Sequence, residues 1–256
     1  NNGNTYTGKT IVESGHFYLE ADNVLGQTSE LTIKSGTEVS VLDKAGHING
    51  TSQTVGALNI DNGSKLNLGS KGGLTITGLT DSIITGTVTG AIGSDLIFEN
   101  GKAIINNANT GLNSNVQLKN ASTVQAYNAE ALGKTGTVDI AAAAELKMGN
   151  SNPNTTVLGK NLMGTGTFTV TTSLDKGIVT DSTVELLGDN SGFTGNIVIG
   201  NVQDSERTRL VANETSLGGQ SISINNRGTL DLNHSGTSEW ILNKSVSGKG
   251  NLEKSG

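Results

Sequence analysis

Five times along the 256-residue chain, two apolar residues flanking one position are followed, after five turn-forming residues, by a second such pair eight positions on. Leu31/Ile33 with Val39/Val41 enclose KSGTE, and Leu58/Ile60 with Leu66/Leu68 enclose DNGSK. Val116/Leu118 with Val124/Ala126 and Val138/Ile140 with Leu146/Met148 repeat the spacing, and Ile222/Ile224 with Leu230/Leu232 close the series around NNRGT. Alternation with period two describes a strand with one dry face, and Gly, Asn and Ser between the pairs supply turns. Each unit therefore reads as strand, corner, strand. The Ala141–Ala144 run falls in the corner position of its unit and is read as a turn, although alanine favours helix.

Hairpins would fit such turns as well, and what surrounds the units decides between the two. ADNVLG (21–26), NAEALG (128–133) and ANETSLG (212–218) each precede a unit and end in Leu-Gly. A third side of this kind returns the chain to the start of the next unit, so strand-corner-strand becomes a coil. Stacked coils pair every strand with its equivalents above and below, and parallel crossovers are right-handed. The expectation is an all-β chain forming one elongated right-handed parallel β-helix over residues 1–256. At roughly 20 residues a turn it would make on the order of 12 coils and a rod of about 60 Å. A narrow core of small layers also accounts for the composition, in which aromatics are only 3% and Gly contributes 36 residues against one Pro.

Composition excludes several functions. With no cysteine there is no disulfide framework, zinc-thiolate site or thiol nucleophile. A net charge of −6 offers no basic face for nucleic acid or an anionic membrane. No apolar run is long enough to span a bilayer, so membrane insertion by this segment is not expected.

NTYTGKTIVESGHFYL (4–19), ADNVLG, NSGFTGNIVIG (190–200), SLGGQSISINNRGTLDL (216–232) and SVSGKGNLEKSG (245–256) together resemble the passenger-associated repeat of bacterial autotransporters, with AIDA-type self-associating adhesins as the nearest likeness. The best matches cover 4–41, 116–148 and 190–256, while 42–115 matches only as generic β-helix. Lys9 stands where the family pattern has Gly, and Phe17-Tyr18 is bulkier than its usual small residue. The resemblance implies a fragment of a longer passenger, displayed at the bacterial cell surface after export through a C-terminal outer-membrane barrel of the same polypeptide. It further implies adhesion, self-association in aggregates or biofilm, or a supporting stalk that drives export by stepwise folding. The implied partners are a second copy on a neighbouring cell, or a host surface protein or glycan.

Chemistry-bearing residues do not gather in the sequence. His16, His47 and His234 lie far apart without metal-ligand spacing and read as polar-face residues. Asp175, Asp181, Glu185 and Asp189 would have to converge for calcium binding or for glycosidic acid-base work, the alternative reading as a polysaccharide lyase or hydrolase. Outward solvated positions describe them better. GTGTF (164–168) and SGKGNL (247–252) lack the following helix and Lys-Ser/Thr ending of a phosphate loop and read as turns. DSERTR (204–209), the densest charge cluster, reads as a protruding solvated loop. Asn-x-Ser/Thr matches at Asn62, Asn120, Asn154, Asn213, Asn233 and Asn243 follow from composition. No residue is assigned a catalytic, cofactor-binding or metal-ligating role, no cofactor is expected, and the chain is read as non-enzymatic. NSGFTG is read as fold punctuation, with Phe193 packing one coil on the next and Gly195 permitting the turn.

Overall fold

The structure, a computed structural model, describes residues 4–42, 50–150, 155–175, 181–202, 204 and 206–256. Among these the chain contains strands and turns and no helix. All strand pairs are parallel, and they assemble into a β-solenoid. The longest sheet runs the length of the molecule with eleven strands among the described residues, from Lys9–Val12 to Ser245–Gly248.

Two further sides complete the coil. The side that follows the long sheet in each turn carries four strands in the N-terminal half, including Glu38–Ser40 and Lys65–Asn67. In the C-terminal half the same side carries five strands, including Ser182–Leu186, Thr208–Ala212, Gly228–Asn233 and Asn251–Ser255. The third side is a six-stranded sheet, with Asn115–Leu118 and Thr137–Ile140 near its centre.

The core is a set of ladders along the rod. In the long sheet Ile33, Ile60, Ile84, Ile105, Ala126, Met148, Val170, Ile199 and Ile224 stand one above another, all buried. Each large member contributes about 1.5–3 kcal/mol by leaving water. Period-two alternation produces this directly, because alternate positions of each strand share the inner face.

All five eight-residue units are corners, but they are not the same corner. In the units at Leu31, Leu58 and Ile222 the first strand belongs to the long sheet, as in the pairing Leu31↔Leu58. In those at Val116 and Val138 the second strand does, as in Val124↔Leu146. Two corners of the coil turn with five residues, so spacing alone cannot tell them apart. Coils are also longer than expected. Val124, Leu146 and Phe168 follow one another at 22 residues, and Phe168 to Ile197 takes 29. The rod consequently has about ten steps rather than 12 coils, or roughly 48 Å. Ala141–Ala144 is a turn closed by the Ala144 N–H on the Ala141 carbonyl at 2.8 Å.

Phe193 is buried in the main core and bridges to Gly164 of the preceding coil. Tyr6, its counterpart near the N-terminus, is half exposed on a coil that pairs with one neighbour among the described residues. Gly195 is required for space rather than for turning. A Cβ there would lie 2.0 Å from the Gly166 carbonyl oxygen, and its φ is not in the left-handed region.

Candidate functional site

The chain has three arginines, Arg207, Arg209 and Arg227, and all three line one groove on the C-terminal five-stranded side. Register puts them there. Ser182 pairs with Thr208 and Thr208 with Gly228, so the residues just before them, Asp181, Arg207 and Arg227, occupy successive rungs. The Ser182 N–H donates to the Arg207 carbonyl at 2.8 Å, and the Thr208 N–H to that of Arg227 at 3.1 Å. The next outward ladder is Thr183, Arg209, Thr229 and Asn251, and the one after it carries Glu185, Val211, Asp231 and Glu253. The groove they form has a volume of about 680 Å³.

Arg209 is held rigidly. Its guanidinium donates to Asp231 Oδ2 at 2.6 Å and to Glu253 Oε2 at 2.8 Å, and the Asp231 bond leads in pushing its pKa up. Asp231 is buried and also accepts from Ser255 Oγ at 2.7 Å. Arg207 and Arg227 extend from exposed positions at the groove's rim. Asp181 accepts the Arg207 N–H at 2.9 Å. Beneath the groove the hydroxyls of Ser182 and Thr208 are buried and have no hydrogen-bond partner among the described residues.

Arg227 occupies a turn position that elsewhere belongs to glycine. In the corners after Ile33, Ile60 and Ile224 the third turn residue is Gly36, Gly63 and Arg227, with φ of 78°, 80° and 64°. A side chain in this left-handed region costs about 1 kcal/mol relative to glycine. This corner therefore carries a modest strain that Gly36 and Gly63 avoid.

DSERTR, which contributes two of these arginines, is anchored at both ends of its described residues, with Ser205 outside them. Asp204 is buried, and its Oδ1 accepts from Thr171 Oγ1 at 2.8 Å, Ser173 N at 3.0 Å and Ser173 Oγ at 2.8 Å. Its Oδ2 takes the Asn201 N–H at 2.8 Å. The cluster is stapled to the segment after Val170, and its last two residues begin the strand Thr208–Ala212. Arg207 is exposed as a solvated loop requires, whereas Asp204 departs from that reading because its carboxylate organises backbone donors around itself.

Other candidate residues remain apart. His16 bonds Ser40 Oγ at 2.8 Å and stacks on Tyr18, and His234 bonds the Ser238 carbonyl at 2.9 Å. His47 and Asn154 lie outside the described residues. Asp175 pairs with Lys102 at 2.5 Å, which holds its pKa down, and Asp189 accepts the Ser191 N–H at 3.0 Å, with the same effect. Glu185 stands on the outer face opposite Val211. Among the described residues no three His, Cys, Asp or Glu side chains are grouped to hold a metal. GTGTF and SGKGNL each join two strands through a two-residue corner, the latter with the Lys249 and Gly250 N–H groups both on the Ile224 carbonyl at 2.9 Å.

Two buried polar features escaped the sequence reading. Asn109 and Asn190 each bridge three coils. Asn109 accepts the Val88 N–H at 2.8 Å and donates to the Ala131 carbonyl at 2.7 Å, while Asn190 accepts from Leu162 and donates to Ser216, both at 2.6 Å. The shared phrases NTGL (109–112) and NSGF (190–193) were the available signal. The second feature is Lys160, fully buried at a corner. Its ammonium donates to the Ser114 carbonyl at 2.5 Å and to that of Thr135, above Gly136, whose missing Cβ leaves the space. Burial pushes its pKa down to about 8.

Comparison with known proteins gives two relatives. An uncharacterized lipoprotein of Escherichia coli strain K12, YdeK, is 30% identical over 256 residues, which is all of this chain and 17% of that protein. An uncharacterized protein of the same strain, YuaQ, is 41% identical over 90 residues, 35% of this chain and 6% of that protein. The chain thus spans less than a fifth of the length of the relatives it matches. No protein-family model and no solved structure matches it.

Proposed function

We propose that this chain is a segment of a surface-displayed bacterial passenger of autotransporter type, acting in adhesion or self-association. The observation that carries the reading is the uninterrupted parallel stack, eleven rungs long among the described residues, whose outward ladders carry many Asn, Ser, Thr and charged residues. Such a rod can meet another surface through many weak contacts in register, and affinity then grows by multivalency. The repeat phrases support the autotransporter class, and the relative named as a lipoprotein supports a place in the cell envelope. The reading assigns the segment no catalysis.

Deleting residues 1–256 in frame from the protein as bacteria display it tests the reading. Slower settling and thinner biofilm than the intact strain are expected. Unchanged settling and biofilm, with the shortened protein still on the surface, would remove adhesion from this segment.

A further inference from the structure

We propose that residues 171–175 form a clasp that locks five rungs of the long sheet, from Ser82–Ile84 to Thr167–Val170, into one unit that opens as a whole. The inference stands independently of the adhesive reading and is measurable on the purified chain.

In a stack of coils each strand touches the strands directly above and below it, so stability passes only between neighbours. A contact that skips rungs changes this. The strands Ser82–Ile84, Lys102–Ile105, Thr123–Ala126, Glu145–Met148 and Thr167–Val170 are consecutive in the long sheet. The chain leaves the sheet after Val170, and Asp175 reaches back to Lys102 at 2.5 Å. That is three rungs, or about 14 Å at 4.8 Å each. Lys102 also holds Asp81 at 2.9 Å, just ahead of the fourth rung back.

The tip of the clasp is built into the outer face it crosses. Ile104 and Gln125 occupy the outward ladder, where Asn59 and Lys147 are half-buried, yet both are buried. Leu174 covers Ile104 together with Tyr127. The Asp175 N–H donates to Gln125 Oε1 at 3.1 Å, and the same oxygen accepts the Tyr127 hydroxyl at 3.0 Å. Gly149 makes the room. A Cβ there would lie 2.3 Å from the Thr171 carbonyl oxygen and 2.7 Å from Leu174 Cδ1.

The root is fixed on the other side, to the coil that follows. Asp204 Oδ1 accepts from Thr171 Oγ1, from the Thr172 N–H at 3.2 Å, and from both Ser173 N–H and Ser173 Oγ. Its Oδ2 takes the Asn201 N–H, two residues beyond the strand Asn196–Ile199. With the tip on the Lys102 rung and the root beyond Ile199, none of the rungs between can open without releasing one end.

Native-state hydrogen exchange at rising, sub-denaturing urea on the purified 256-residue chain tests the clasp. The slowest amides of the five strands are expected to converge on one opening free energy and one denaturant slope. Asp204→Ala removes the root without touching Lys102–Ile105 or Thr123–Ala126, and should speed exchange in both strands tenfold or more. Leu174→Ala, which removes the tip, should do the same. The double variant should be no faster in these strands than the faster single variant, because either loss already frees the clasp. Graded, separate openings of the five strands in the parent would overturn the proposal, and this measurement needs no variant to fold. Faster exchange in Asp204→Ala confined to Thr167–Val170 and Asn196–Ile199, or additive acceleration in the double variant, would overturn it as well.

Discussion

Single residues carry much of what distinguishes this solenoid from a generic one. Arg227→Gly should stabilise the chain by about 1 kcal/mol, seen as a raised midpoint in thermal melting, because it relieves a left-handed side chain. Asn190→Ala should destabilise it by about 3 kcal/mol, since the Leu162 N–H and the Ser216 carbonyl would both be left buried without partners. Lys160 supplies a pH signature. Its pKa falls from 10.5 in the free chain to about 8 in the fold because burial penalises the ammonium. Between these values the unfolded chain binds more protons than the folded one, so stability rises as pH goes from about 8 to 10.5, and the penalty is fully present below about 8. Denaturant titrations across that window should show the rise in the parent and a flatter profile in Lys160→Met. Arg227 stands at the glycine position of KSGTE and DNGSK and is legible from spacing, whereas the roles of Asn190 and Lys160 are not. Each depends on which coil a residue faces, and a lysine or asparagine in a polar corner looks the same in sequence whether it points outward or along the stack.

At the scale of elements, the ladders decide stability and the corners decide shape. Leu146 stands between Val124 and Phe168 in the long sheet and is fully buried. Leu146→Ala should cost about 2–5 kcal/mol in chemical unfolding, while Lys147→Ala, one residue on and facing outward, should change stability by less than about 1 kcal/mol. The strands were legible because period-two alternation is the physical requirement of a sheet with one dry face. Their assignment to sides was not. The corners at KSGTE and KNAST have the same length and similar residues, yet the first leaves the long sheet and the second enters it. The excursion after Val170 was equally hidden. Leu174 packs with Ile104 and Tyr127 in a small apolar cluster apart from the main core, and the Lys102 to Asp175 ion pair fastens the same segment. These contacts join residues up to 73 apart along the chain, and no local pattern announces them.

The whole molecule behaves as a one-dimensional stack in which each coil is stabilised by its neighbours. In the 256-residue chain, amide exchange should accordingly be slowest in the central strands of the long sheet, from Lys102–Ile105 to Thr167–Val170, and fastest in Lys9–Val12 and Ser245–Gly248, each of which pairs with one strand among the described residues. Such a rod offers long sheet faces, and one of them gathers all the arginines that the sequence contains. The proposed function is adhesion by such a displayed face. Fusing residues 1–256 to an unrelated outer-membrane anchor on a non-adherent bacterium, and timing how fast the cells settle, tests that claim most directly. The account predicts that cells carrying the segment settle faster than cells carrying the anchor alone. Equal settling, with antibody labelling confirming the folded segment on the surface, would contradict it.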